Sequence, residues 1–225
     1  MPILKPTLEQ LPDMFPVFPL GGALLLPGGH LPLNIFEPRY LAMIEDCMGE
    51  GRCVGMVQPD RRLPEGAHGP GLYRVGCLGR VTSFAETDDG RYLITLTGVI
   101  RFTIVEELEM RRGYRRVQAG LSGFAADLRE ADGEGGLPMS REEMVAAMRG
   151  YFAAMGISEA NWRALLSVND AALVNALAMA CPFTNEEKQA LLEARDLGAR
   201  AAALYALLRI DSFDDGSGGN GPRLS

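Results

Sequence analysis

Side chains able to carry out chemistry are sparse in this chain and fall far from one another. The only histidines are His30 and His68, each in a Gly/Pro-rich stretch, and the only lysines are Lys5 and Lys188. A hydrolytic site would draw on Ser83, Ser122 or Cys53 as nucleophile and on His30 or His68 as base, but such a role needs a base and an orienting group brought together. Neither a G-x-S-x-G elbow nor an H-E-x-x-H helix is present, and neither lysine follows the glycine-rich loop that surrounds a nucleotide phosphate. Cys47, Cys53, Cys77 and Cys181 lack the C-x-x-C spacing of zinc and dithiol sites and are expected as buried free thiols. Adjacent carboxylates such as Asp88/Asp89 and Glu186/Glu187 diverge on a strand or a helix, so they predict turns and first helical turns. No catalytic, cofactor or metal site is expected from these residues.

Charge narrows the class of partner. The 225 residues carry a formal net charge of −7, against the local excess of Lys and Arg that phosphate contacts require, so no nucleic-acid partner is expected. The one basic cluster, Arg111, Arg112, Arg115 and Arg116, reads as a solvated face or the end of a hairpin. No window approaches the roughly 18 uninterrupted apolar residues of a membrane span. The start of the chain has no basic-then-apolar leader, and the expectation is a cytoplasmic protein with reduced thiols.

The elements that must position these residues change character along the chain. Over 13–36, short apolar runs are broken by Pro16, Pro19, Pro27 and Pro32, which excludes helix and predicts edge strands and turns. After Glu37 the period changes. Pro38 suits a first helical position, Tyr40, Leu41, Ile44 and Met48 share a face, and Gly49 marks the stop. Strand patterns follow over 52–58, 72–87, 91–107 and 114–124, with a turn at Asp88, Asp89 and Gly90. Gly98 inside the third of these predicts a bulge or a bend where another strand comes close.

Residues 126–139 read as a linker or exposed loop, ending the β-region of 1–125. Residues 140–210 then read as helical. Ser140 with Glu143 and Thr184 with Glu187 form capping-box patterns, and Ser158 and Asp170 suit N-caps. Met144, Met148 and Met155 fall at helical spacing as a core stripe. The stretch 185–210 predicts one helix of about twenty-five residues, bent at Gly198. The tail 211–225 is too poor in apolar residues to order itself.

One segment is more specific than any of these patterns: FPLGGALLLPGGHLPLNIFEPRYLAMIEDCM, over 18–48. It resembles the N-terminal, substrate-binding domain family of the Lon ATP-dependent proteases, where an F-P-L start, a P-G turn and a P-L-x-I-F-E-x-R-Y core recur in that order. The resemblance continues through RVGCLGRVTSF, DGRYLITLTGVIRF and EKQALLEARDLGARAAALYALL, so it spans nearly the whole chain. It implies an α+β fold: a six-stranded, partly closed, PUA-like β-domain with one inserted helix, then a helical bundle ending in a long helix.

The resemblance also implies a role, which is to hold unfolded or extended polypeptide segments, or a dedicated protein partner such as an ATP-dependent protease. No Walker motif or Ser-Lys protease module accompanies the match, so the expectation is a stand-alone, non-enzymatic N-domain with no cofactor and no membrane partner, compatible with a homo-oligomer. Within the motif, Phe36, Glu37, Arg39 and Tyr40 flank the helix start, where Glu37 suits the positive end of the helix dipole and Arg39 a strand carboxylate or carbonyl. Arg101 in GVIRF suits a bidentate tie between two strands. The first four are expected to lock the helix onto the sheet and Arg101 to tie strands together, with partner contact as the alternative for all five.

Overall fold

The computed structural model describes residues 6–66, 68–130 and 137–214. Six strands form one sheet: β1 (Met14–Pro19), β2 (His30–Ile35), β3 (Cys53–Val57), β4 (Val75–Glu86), β5 (Tyr92–Arg111) and β6 (Tyr114–Gly120). Their order is β2-β5-β4-β3-β1-β6, and β6 also pairs with the far half of β5. The long β5 therefore curls the sheet back on itself into a partly closed barrel, leaving β2 outside the closure beside the first half of β5. All pairings are antiparallel except β1 with β3.

Alternation along the strands fills the barrel. Phe15, Val17, Leu78, Ile100, Phe102 and Val117 point inward and form an apolar cluster of their own. Helix α1 (Pro38–Gly49) begins with Pro38 at its first position and buries Tyr40, Met43, Ile44 and Cys47, whereas Leu41 and Met48 lie at the edge of the buried face. The arginine cluster ends a hairpin, as its charge pattern predicts. Arg112 and Gly113 adopt positive φ in the tight turn between β5 and β6. From there Arg111 and Arg112 reach Glu45, Asp46 and Glu50 of α1.

Gly98 is required by close approach. A Cβ there would collide with the Leu26 carbonyl, because the segment between β1 and β2 crosses β5 at this point. The Gly28 amide donates to the Gly98 carbonyl and the Gly98 amide to the Gly29 carbonyl, both at 2.9 Å. The register of β5 against β4 slips next to it.

The helical half comprises α3 (Arg141–Ala154), α4 (Asp170–Ala180), α5 (Asn185–Glu193) and α6 (Leu197–Asp214), preceded by one turn, α2 (Asp127–Glu130). Both capping boxes form as their spacing predicts. The cap of α4 is Asn169, not Asp170: the Asn169 side chain accepts from the Ala172 amide, and Asp170 instead pairs with Arg141. Met144 and Met148 are buried, while Met155 is exposed beyond the end of α3.

The single helix expected over 185–210 is two. The chain breaks at residues 194–196, where the Asp196 side chain accepts from the Ala199 amide at 2.7 Å and starts a new helix. The carbonyls freed at the end of α5 are taken up by Arg101 from the β-half, a partner that local propensity does not register. Helix α6 runs on to Asp214, so the first part of the expected tail is helical, and residues 215–225 lie outside the described residues. Residues 131–136, within the expected linker, also lie outside them.

Candidate functional site

Between the two halves lies a cleft of about 630 Å³, the size range of ligand and peptide-side-chain pockets. One wall is the turn at residues 27–29 and the start of β2, with Leu31 and Pro32; the other is α4, with Ala172, Ala176 and Met179, backed by Leu165 and Leu197. The walls are mostly apolar. The sequence places small residues at one face of α4, which keeps the helix surface shallow, and Gly29 leaves room for the Met179 thioether.

A polar chain underlies the cleft. Asn175 of α4 donates from Nδ2 to the Pro27 carbonyl at 3.0 Å and accepts at Oδ1 from Arg200 Nη1 at 3.2 Å. Arg200, buried on α6, donates from Nε to the Leu191 carbonyl at 3.0 Å. The cleft wall of the β-half is thus tied in turn to α4, α6 and α5. Sequence reasoning missed Asn175 and Arg200, whose signal is a polar residue interrupting an otherwise apolar helix face.

Arg101 lies under the same seam at 1% exposure, paired with Asp127, equally buried. Its Nη2 and Nε donate to the Asp127 carboxylate at 2.7 and 2.9 Å, and its own amide donates to the same group at 2.9 Å. Nη1 donates to the Leu192 and Ala194 carbonyls, and Nη2 also to that of Arg195. Its guanidinium stacks 4.7 Å from the Phe124 ring. Arg101 therefore ties β5 to α2 and to the end of α5, not one strand to another. Asp127, read as part of a linker, is its counter-ion.

The other four motif residues sit elsewhere, at the start of α1. Glu37 occupies the N-cap with its side chain turned to Arg39, whose Nε and Nη2 donate to it at 3.0 and 2.8 Å. Arg39 thus finds its carboxylate two residues away, not on a strand, and lies over the Tyr40 ring. Tyr40 is buried 4.2 Å from the Phe18 ring, and burial raises its phenol pKa. Phe36 is 64% exposed. Among the described residues no hydrogen bond or ion pair joins this group to Arg101.

The residues considered for hydrolysis are not assembled either. His30 shares a 3.0 Å hydrogen bond with Thr97 Oγ1 at the cleft rim, and His68 is exposed in the loop before β4. Cys53 is buried in β3 and its thiol pKa is pushed up by burial, the opposite of an activated nucleophile. Cys47 is likewise pushed up by burial, to about 12. Ser83 lies on the outer half of β4 and Ser122 in a turn after β6.

A partly closed β-domain backed by helices is also the fold of a Lon N-terminal domain protein from Xanthomonas campestris. That structure covers 86% of this chain and 97% of its own, with a TM-score of 0.60 at 24% identity. The N-terminal domain of a Mycobacterium avium complex Lon protease covers 87% and 98%, with a TM-score of 0.57 at 15% identity.

The family model of the ATP-dependent protease La (LON) substrate-binding domain matches residues 14–209, and the chain belongs to that family. Lon protease 2 of Myxococcus xanthus is 27% identical over 202 residues, 89% of this chain and 24% of that protease. Lon protease of Anaeromyxobacter dehalogenans is 30% identical over 98 residues, 44% of this chain and 12% of that protease. The chain thus corresponds to about a quarter or less of these relatives, and the match is to their substrate-binding domain. No helix among the described residues is long and apolar enough to cross a membrane.

Proposed function

We propose that this chain holds polypeptides without cutting them, taking extended apolar segments into the cleft between the 27–32 segment and α4. The observation that carries the reading is the cleft itself: an apolar trough of about 630 Å³ whose two walls come from different halves of the molecule. Membership of a substrate-binding family supports it. The mostly apolar lining favours side chains of varied shape over one rigid small molecule. The reading places the protein in the cytoplasm with its thiols reduced, needing no cofactor.

The test is fluorescence anisotropy of a labelled, permanently unfolded polypeptide, with a folded protein of similar charge as control. Saturable binding to the unfolded chain alone is expected, and Ala172→Trp, which fills the cleft from an exposed position on α4, should weaken it at least tenfold. Unfolded-chain binding that ignores Ala172→Trp would remove the cleft from the account. No binding up to about 100 μM, weaker than roughly −5.5 kcal/mol, would favour an adaptor with one dedicated protein partner, such as an ATP-dependent protease.

A further inference from the structure

Among the described residues, part of β4 is left without a strand on one side. Pairing of β4 with β3 runs over Cys77 to Arg80, and the last bond on that side is the Val81 amide donating to the Arg52 carbonyl at 2.8 Å. Over residues 82–86, β4 has β5 on one side and, among the described residues, no strand on the other. All five of these residues are exposed.

Alternation in an antiparallel ladder decides which main-chain groups face the open side. The Thr87 amide donates to the Arg91 carbonyl at 2.9 Å, so Ala85 and Ser83, in step with Thr87, turn their amides towards β5. Phe84 and Glu86 turn theirs outward. The edge of β2 is blunted by Pro32, which has no N–H to offer, whereas 82–86 contains neither proline nor lysine; the register of β4 against β5 slips between Val81 and Ser83, which leaves the Thr82 carbonyl, not its amide, on the open side.

We propose that this edge pairs with the same edge of a second copy of the chain, antiparallel about a two-fold axis at Phe84. In that register Phe84 faces the second copy's Phe84 and Glu86 faces the second copy's Thr82, so each outward amide meets a carbonyl and no like charges oppose. The Phe84 ring already packs against Tyr92, with centroids 5.0 Å apart, and the pairing extends this into a ladder of four rings. Beyond Glu86, the second copy's turn lies where β3 begins. That sets its Asp88 against Arg52, both exposed side chains, and the two-fold axis makes the contact twice.

Five residues of edge bury little surface, so the dimer belongs to the weak, concentration-dependent class. The proposal is independent of polypeptide holding, because the cleft is lined by β2, on the other side of β5.

Sedimentation velocity over roughly 10 μM to 1 mM protein should show a monomer–dimer equilibrium. Asp88→Arg should abolish it by facing two arginines, and adding Arg52→Asp should restore it. Phe84→Cys, with oxidised glutathione as acceptor, should give a covalent dimer at least tenfold faster than Met155→Cys, an exposed position in the helical half; the native cysteines are buried. A monomer throughout the range, a dimer indifferent to Asp88→Arg, or equal crosslinking at both cysteines would overturn the proposal. So would a monomer whose Phe84 and Glu86 amides become protected from hydrogen exchange only when an extended peptide is added, since the edge would then serve a foreign strand.

Discussion

A section through the barrel meets a mostly aliphatic and aromatic cluster: Phe15 edge-on to Phe102 at 4.9 Å, with Val17, Ile100 and Val117 around them and the buried Cys53 thiol among them. A section through the seam between the β-half and the helices meets an apolar layer as well, but with Arg101, Asp127, Gln58, Lys188, Gln189 and Arg200 buried in it. Gln58 donates to the Asn185 carbonyl, Gln189 to the Val75 carbonyl, and Lys188 to the Gly22 carbonyl. Apolar contact is non-directional and tolerates sliding. Buried polar groups must be matched one to one, because each unpaired one costs about 1–3 kcal/mol. The barrel is therefore held by volume and the seam by address, which fixes the position of the helices and with it the shape of the cleft.

The most direct way to break this contrast is Asp127→Ala. It strands the Arg101 guanidinium in a site with 1% exposure, and removing one partner of such a pair costs about 3–5 kcal/mol. The damage should be local: hydrogen exchange should rise in α5 and α6 well before it rises in β1, β3 and β6. Uniform loss of protection would mean that the seam is no more specifically held than the barrel. The double variant Arg101→Met with Asp127→Leu should recover part of the stability, because an apolar pair of similar volume avoids the desolvation that the ion pair must overcome.

The same contrast explains which elements were legible in the sequence. The strands, the Pro38 helix start and both capping boxes are local patterns, visible within a few residues. Gly98 was legible in part: a glycine inside a β-branched run signals a bulge or a nearby strand, and the register does slip there, but the chain that comes close is the segment between β1 and β2, not a strand. The break between α5 and α6 was not. Residues 190–208 are rich in Ala, Leu, Glu and Arg, which favour one continuous helix. The freed carbonyls at the end of α5 are taken up by a guanidinium from a strand far away in sequence, and the local marks are Asp196 and Gly198. The cleft was illegible for the same reason, because its walls meet only when the halves dock and its polar supports, Asn175 and Arg200, are single residues without a spacing rule.

Gly98→Ala probes the place where barrel and cleft share a part. Its Cβ would meet a backbone carbonyl, not a flexible side chain, so the 26–29 segment must move and the two hydrogen bonds to Gly98 stretch. Overpacking of this kind costs about 1–3 kcal/mol. Because that segment is a wall of the cleft, polypeptide binding should fall along with thermal stability, whereas a destabilising barrel substitution such as Ile100→Val, costing about 0.5–1.5 kcal/mol, should leave binding intact in the folded protein. Equal effects on binding would show that the cleft depends on overall stability, not on the position of this wall.

The smallest effect lies on the far side of the β-half, where Tyr114 donates to Asp46 at 2.7 Å beside Arg111 and Arg112. Burial, and then the bond to Asp46, raise the Tyr114 phenol pKa to about 12. The folded state thus binds this proton more tightly than the unfolded chain, whose phenol titrates near 10. The associated stability is fully present below pH 10 and lost as the pH rises towards about 12. Tyr114→Phe should cost about 1 kcal/mol at neutral pH through the lost hydrogen bond, and should flatten the fall in stability between pH 10 and 12 measured by denaturant titration. Among the described residues this network borders α1 and shares no hydrogen bond with the buried polar groups of the seam, so the variant should leave hydrogen exchange in α5 and α6 unchanged relative to global stability. A selective rise there would mean that the two regions are coupled through the barrel wall, and that the seam is less self-contained than its buried polar ties imply.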